Sequence, residues 1–311
     1  FGWISSTDTP IWAPKGSSKR VRYTLAVLHD PKEAMPPSDP KALATLERVG
    51  AQMGVSVELI QPKDYSRLAE FDALFIRMTT ALDNPTYRFA RKAEDVPVID
   101  DPGSILRCTN KVFLAETLAA RKIPAPKTLV LDSRSLKRAT DELSFPIVLK
   151  IPDGSFSRGV MKADNLDTLK RMSRQLLDDS DLILAQEFMP TEFDWRVGVL
   201  DGKPLFVSQY TMAPKHWQIY NHGATGRAKS GGFRTMAVED TPKLVLDTAV
   251  AAARLMGTGL YGVDLKQNDR GVFVVEVNDN PNIDSGVEDK VLKDALYRTL
   301  LESFVRRIEA G

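Results

Sequence analysis

The chain has 311 residues, 43% hydrophobic and 27% charged, enough apolar material for folded cores and too much for a disordered chain. Lysine and arginine number 42 against 41 acids, a net charge of +1, which argues against a general nucleic-acid coat, because such binding rests on clustered cations neutralising phosphates. A single cysteine, Cys108, excludes a disulfide framework, and only three histidines accompany it, too few for a ready Cys/His zinc site.

In chain order, residues 1–20 (FGWISSTDTPIWAPKGSSKR) combine two Trp, Pro and Gly with a basic end and read as an arm or linker. The start on Phe1 points with equal weight to a longer protein or to a trimmed end. Tyr23–His29 is an apolar run, read as a buried strand. Asp39–Met53 has helical spacing at Leu43, Leu46, Val49 and Met53, with Gly54 placed to end the helix. Val55–Ile60 and Ala73–Met78 are further strands, Pro85–Ala93 a helix and Pro97–Asp100 a fourth strand. This alternation predicts a small parallel sheet covered by helices. It has no G-x-G-x-x-G turn after its first strand, which argues against a dinucleotide site there.

A helix is expected at Asn110–Arg121. Beyond it the strands Thr128–Leu131, Pro146–Ile151, Gly159–Ala163 and Leu182–Phe188 are expected to pair as chain neighbours, with helices at Ser133–Glu142 and Leu166–Leu177. Two hairpins follow, then a helix at Pro242–Met256 capped by Thr241, and a last helix at Val287–Ile308. The reading is an α/β N-terminal domain followed by an α+β body. No apolar run reaches the ~20 residues of a membrane span and no signal-peptide pattern is present, so a cytoplasmic protein is expected.

The strongest chemical signal is Tyr261–Asn278, YGVDLKQNDRGVFVVEVN. Val263, Leu265, Phe273, Val275 and Val277 alternate onto one apolar face; Gly262, Asp264, Lys266, Glu276 and Asn278 lie on the other. A three-residue loop Asp269-Arg270-Gly271 would set Asp264 directly opposite Glu276. Facing carboxylates repel unless a cation lies between them. With the Asn278 amide they suit Mg²⁺ held mainly by substrate phosphates. The plainer alternative is a set of solvated charges on an exposed sheet face.

Two lysines join them. Lys150 ends an alternating strand, where a lysine on the inner face is costly without an anion. The turn Asp153–Val160, with Gly154, Ser155 and Gly159, can offer backbone N–H groups to phosphate, although many hairpin turns look alike. Lys111 lies near a helix start, where a solvated charge is the commoner reading. Leu182–Met189 is a strand broken at Pro190, with Asp194 and Arg196 alternating beyond it. Arg77, at the end of the third strand, is a candidate for a substrate carboxylate.

The order of these features, Lys111, Lys150 with its loop, Gln186-Glu187-Phe188-Met189, Asp194-x-Arg196, Asp264 and Glu276-x-Asn278, resembles the ATP-grasp superfamily, and within it the RimK-like carboxylate–amine ligases. The resemblance spans about residues 21–310. It implies an ATP-grasp fold with a Rossmann-like pre-ATP-grasp domain at 21–108, a central subdomain at 109–189 and a C-terminal subdomain with the metal site at 190–311. It implies that Lys111 and Lys150 contact ATP phosphates, that the loop Asp153–Val160 with Gly154, Ser155 and Gly159 is a mobile lid binding over them, and that Gln186, Glu187, Phe188 and Met189 surround adenine. Asp194 would meet the ribose, and Asp264, Glu276 and Asn278 would hold Mg²⁺ or, in its place, Mn²⁺. Arg196 would touch the acyl-phosphate or carboxylate side; Lys215 and Lys229, positive groups in the Met212–His222 region and beyond, read with equal weight as γ-phosphate contacts or as surface lysines on a loop. The implied reaction forms an amide between a small-molecule or peptide carboxylate and an amine through an acyl phosphate, with glutamate or another amino acid added. A non-catalytic ATP-binding module of the same fold is the alternative, and kinase-type transfer a third. A homo-oligomer is among the expectations; nucleic acid and membrane are not. Departures from RimK are the bulky loop Ser155-Phe156-Ser157-Arg158, the long exit Asn280–Glu288 and the stretch Met212–His222, where His216, Trp217 and His222 could shape specificity.

Overall fold

The computed structural model describes residues 20–153, 159–214, 217–219 and 231–311. Strands β1 (Tyr23–Leu28), β2 (Val55–Ile60), β3 (Ala73–Ile76) and β4 (Val98–Ile99) form a parallel sheet in the order β2-β1-β3-β4. Parallel strands are covered on both faces and therefore read as continuous apolar runs; Leu25 to Leu28 are at most 1% exposed. Helix α1 (Pro40–Met53) begins as expected. The Asp39 carboxylate accepts the Ala42 N–H at 2.7 Å, and Pro40 has no N–H to satisfy. It ends on Gly54, whose φ of 80° lies in the left-handed region. Helix α2 spans Pro85–Lys92. Two further elements lie outside the sequence expectations, a 3-10 stretch at Pro62–Glu70 and a short helix α3 at Pro102–Cys108. The Asp101-Pro102 start signal of α3 is visible in the sequence, but seven residues are too few to show a period.

Helix α4 (Lys111–Ala120) is capped by Asn110, whose side chain accepts the Phe113 N–H at 3.0 Å. Strands β5 (Thr128–Leu131), β6 (Ile147–Lys150), β7 (Val160–Ala163) and β8 (Ile183–Glu187) form an antiparallel sheet in the order β5-β8-β6-β7. The expected pairing of chain neighbours therefore holds only for β6 and β7. Helices α5 (Lys137–Glu142) and α6 (Leu166–Leu177) are crossovers, and β8 enters between β5 and β6. This sheet has its own core, drawn from residues between Leu129 and Ala185.

Strands β9 (Phe193–Leu200), β10 (Lys203–Thr211), β11 (Phe233–Met236), β12 (Leu260–Asn268) and β13 (Gly271–Asp279) form an antiparallel sheet in the order β11-β10-β9-β12-β13. Helix α7 (Lys243–Met256) packs on one face of it through Val245, Ala249, Ala252 and Met256. Thr241 does not cap α7. Its hydroxyl donates backwards to Ala237 O at 3.1 Å, and Pro242 takes the cap position. The last helix, α8 (Asp294–Ala310), begins seven residues later than expected. Asp289 accepts the Gly286 N–H at 2.6 Å and the Tyr297 hydroxyl at 2.8 Å, and Lys293 at φ 50° interrupts the helical path. Helix α8 packs with α1 against the parallel sheet, where the Phe304 ring meets Phe75 edge-on at 5.6 Å. Among the described residues no helix is long and apolar enough to cross a membrane.

Candidate active site

The three sheets meet around a cleft of about 550 Å³. Its floor is the hairpin β12–β13. Only Asp269 and Arg270 separate the paired Asn268 and Gly271, so the loop is one residue tighter than expected and the strands start one step out of the expected register. A bulge between Asp264 and Leu265 restores the step, and Asp264 lies opposite Glu276 as predicted. The apolar faces are corrected by the same bulge. Val272 and Val274 join Val277 in the core, while Phe273 is half-buried beneath Arg270 and Val275 lines the cleft.

Each floor carboxylate meets a cation. Arg196, on β9 opposite Asp264, binds it through two bonds of 2.7 and 2.8 Å, and Asn278 Nδ2 donates to the same carboxylate at 3.1 Å. Lys111 Nζ lies 3.1 Å from Glu276. Burial pushes the Asp264 carboxyl up, and Arg196 offsets this only in part. Burial also acts against ionised Glu276, but Lys111 and Lys150 outweigh it and hold that carboxyl below its ordinary value. Arg196 is raised: Asp264 overcomes the cost of its burial. The Lys111 N–H donates to Pro152 O at 2.9 Å, tying the start of α4 to the turn after β6 and bringing the two lysines together.

Lys150 stands differently. It lines the cleft, yet no hydrogen bond or ion pair holds its ammonium among the described residues. Burial, with Lys111 and Lys266 adding to it and Glu276 opposing, lowers its pKa to about 8.

The remaining sequence candidates border the same space. Gln186 donates to Thr128 Oγ1 at 2.8 Å, and Glu187 pairs with Arg270 at 2.7 Å. Phe188 and Met189 continue the wall past the end of β8, and the Trp217 ring meets Phe188 edge-on at 6.0 Å. Asp194 pairs with Lys266 at 2.6 Å. Gly159 adopts φ 70°, and a Cβ there would come within 2.8 Å of Ile151, so the turn needs glycine. Gly154, Ser155 and Lys215, with His216, His222 and Lys229, lie outside the described residues.

Arg77 does not serve as a free carboxylate binder. It is 1% exposed and donates to Ser38 at 3.0 Å, Asn280 Oδ1 at 2.6 Å, Pro281 O at 2.9 Å and Pro37 O. The third strand end thus binds the segment leaving β13 rather than a ligand. Burial lowers its pKa to about 10. Sequence reasoning gave no role to Lys266 or Thr80, and reached Asn280 and Gln218 only as members of the two stretches that depart from RimK; all four line the cleft. For Lys266 the signal was its place two residues from Asp264 on the polar face; the others lie in loops without a period.

Comparison with known proteins fits this geometry. A family model described as the RimK-like ATP-grasp domain matches residues 108–295, more than half of the chain. The alpha-aminoadipate–LysW ligase LysX of Saccharolobus solfataricus is 29% identical over 75% of this chain and 86% of its own. A probable alpha-L-glutamate ligase of Syntrophotalea carbinolica is 27% identical over 73% of this chain and 74% of its own. Among solved structures, D-alanine–D-alanine ligase from Bacillus anthracis complexed with ATP superposes with a TM-score of 0.69 at 17% identity, covering 94% of this chain and 100% of that one. A RimK domain ATP-grasp protein from Sphaerobacter thermophilus gives 0.65 at 18% identity, covering 91% and 99%. At these identities the structural likeness concerns the fold, which is the ATP-grasp fold the sequence resembles. With its parallel sheet, its two antiparallel sheets and the charged cleft between them, the chain belongs to the RimK-like ATP-grasp family.

Proposed function

We propose that the protein is an ATP- and Mg²⁺-dependent ligase that activates a carboxylate by phosphorylation and joins it to an amine. Lys150 carries this reading. A partly desolvated ammonium that no ion pair or hydrogen bond holds among the described residues is costly until an anion arrives, and Lys150 faces such a space beside Asp264 and Glu276. The two carboxylates and the Asn278 amide oxygen are hard donors, a set that fits Mg²⁺, or Mn²⁺, bound chiefly through phosphates. When bound, the ion would neutralise charge on the transferring phosphoryl group.

The chain's own residues position and neutralise. Lys111 and Lys150 hold the phosphates, Gln186 to Met189 border the adenine, and Asp194 takes the ribose. Arg196 steadies Asp264 and, with Lys215, attends the reacting carboxylate. A substrate carboxylate oxygen attacks the γ-phosphorus and releases ADP. The amine then attacks the acyl carbon, forming the amide and releasing phosphate and a proton. Such transfer depends on positioning and electrostatics and needs no protein nucleophile. The relatives' names support an amino acid among the small-molecule or peptide substrates, with glutamate a first choice.

The test is ADP release from MgATP with pools of acids and amines, followed by mass analysis of the product. Glu276→Gln and Lys150→Met are each expected to lower turnover by roughly 100-fold or more, the usual cost of removing one transition-state charge contact, with the circular dichroism spectrum unchanged. Undiminished turnover would overturn the assignment. ATP binding without ADP release in any pool would mark a non-catalytic module instead.

A further inference from the structure

Two ion pairs stand side by side on the floor of the cleft. Arg196 on β9 faces Asp264 on β12. The ladder then pairs Trp195 with Leu265, and one step further Lys266 Nζ reaches Asp194 at 2.6 Å. The charges are inverted between the pairs: β9 carries Asp194 and Arg196, β12 carries Lys266 and Asp264. Both members of the second pair line the cleft, with side-chain exposures of 16% and 17%. As a fastening between strands such a pair is a poor choice, because desolvating two charges consumes most of their attraction and an apolar pair would serve as well.

The hydrogen bonding is incomplete in a way that points outward. Lys266 donates to Asp194 Oδ1 and to Thr191 Oγ1 at 2.9 Å, and Thr191 donates to the same Oδ1 at 2.8 Å. An ammonium has three protons, so one of them is unassigned, and Asp194 Oδ2 accepts no hydrogen bond among the described residues. Lys266 lies two residues, about 6–7 Å, along β12 from Asp264. Its partner Thr191 follows Met189, so the displacement runs from the metal donors toward the wall of Phe188 and Met189.

We propose that Lys266 and Asp194 form one nucleotide-binding unit, in which Asp194 accepts a ribose hydroxyl and Lys266 donates to the phosphate next to that ribose. This rests on the ligase reading above and adds to it a binding residue and its phosphate. Thr191 also holds Asp194 Oδ1, so the carboxylate keeps its place when the Lys266 charge is removed; Asp194 keeps the ammonium from collapsing onto Glu276 or Asp264.

The test is calorimetry with MgADP and with adenosine on the whole protein. Lys266→Met and Lys266→Gln are expected to weaken MgADP by about tenfold or more, the usual weight of a charge-assisted hydrogen bond, and to leave adenosine within about twofold. The glutamine keeps a donor to Asp194 without the charge, so the measurement stands if the methionine variant folds poorly. Lys266→Arg should retain most MgADP affinity. Unchanged MgADP affinity in both neutral variants overturns the inference, and so does an equal loss for adenosine, which would make Lys266 a support of Asp194 only. Wild-type protein that binds neither ligand would overturn the ligase reading and this inference together; normal wild-type binding with unaffected variants overturns this inference alone.

Discussion

An ammonium needs water or a counter-ion, and Lys150 has only part of the first and, among the described residues, none of the second at ion-pair distance. Burial lowers its pKa from the usual 10.5 to about 8. The folded state therefore gives up this proton at lower pH than the unfolded chain does, and the unfolded chain binds more protons between those values. The sign follows: Lys150 costs stability below about pH 8, and the cost is relieved as pH rises from 8 toward 10.5. Phosphate binding wants the charged form, so MgATP affinity should run the other way. We expect the stabilisation of the melting temperature by MgATP to shrink between pH 7 and pH 9 in wild type and to be small at both in Lys150→Met. A pH-independent ligand shift in wild type would contradict this. Lys150, Asp264 and Glu276 were legible in the sequence because a charge that interrupts an alternating apolar strand stands out by itself. Arg77 was misread because an arginine at a strand end looks the same whether it meets a ligand or a carbonyl. Its partners Asn280 and Pro281 lie 203 and 204 residues away, beyond any local pattern.

The hairpin β12–β13 separates two kinds of information. Opposition of Asp264 and Glu276 could be read from strand alternation and a tight turn, but it arises from a two-residue loop and a bulge rather than from the regular ladder expected. The core-facing valines 272, 274 and 277 are spaced by two and then by three, and that break is the trace of the bulge in the sequence. Phe273, expected inside, is half-buried, and Val274, expected outside, is 1% exposed. Val274→Ala should therefore destabilise the fold by roughly 2 kcal/mol through lost burial and a cavity. Phe273→Ala should cost less than about 1 kcal/mol, as a substitution outside the core does. Urea unfolding midpoints of the two variants decide between the registers, since the regular ladder demands the reverse order. Strand pairing in the sheet β5-β8-β6-β7 was not legible for a related reason. Crossover helices α5 and α6 bring together strands that are not sequence neighbours, and no period within a strand records its partner.

Arg77 links distant parts of the chain. Its guanidinium holds Pro37 and Ser38 ahead of α1 and Asn280 and Pro281 after β13, while α8 packs with α1 on the parallel sheet. Arg77→Met would leave two carbonyls and an amide oxygen buried without their donor. It should cost roughly 3–5 kcal/mol in urea unfolding, the range for removing one member of a buried charged network. A loss below 1 kcal/mol would mean that these contacts are not desolvated. The alternation of strands and helices made the parallel sheet readable in advance; its attachment to the hairpin sheet was not, because that depends on Arg77, on α8 and on a core shared by residues far apart in the sequence. The attachment also divides the protein unequally. The parallel sheet and the five-stranded sheet share Phe75, Leu205, Phe206 and Phe304 in one continuous core, whereas the core of the four-stranded sheet is closed within residues 129–185. A cleft walled by both can widen at little cost only where no core is torn. The larger part is thus an anvil, and the four-stranded sheet, whose strand β6 ends on Lys150, is the part that can swing away without tearing a core, so we expect Lys150 to travel with that sheet on any opening while Asp264 and Glu276 stay on the other side.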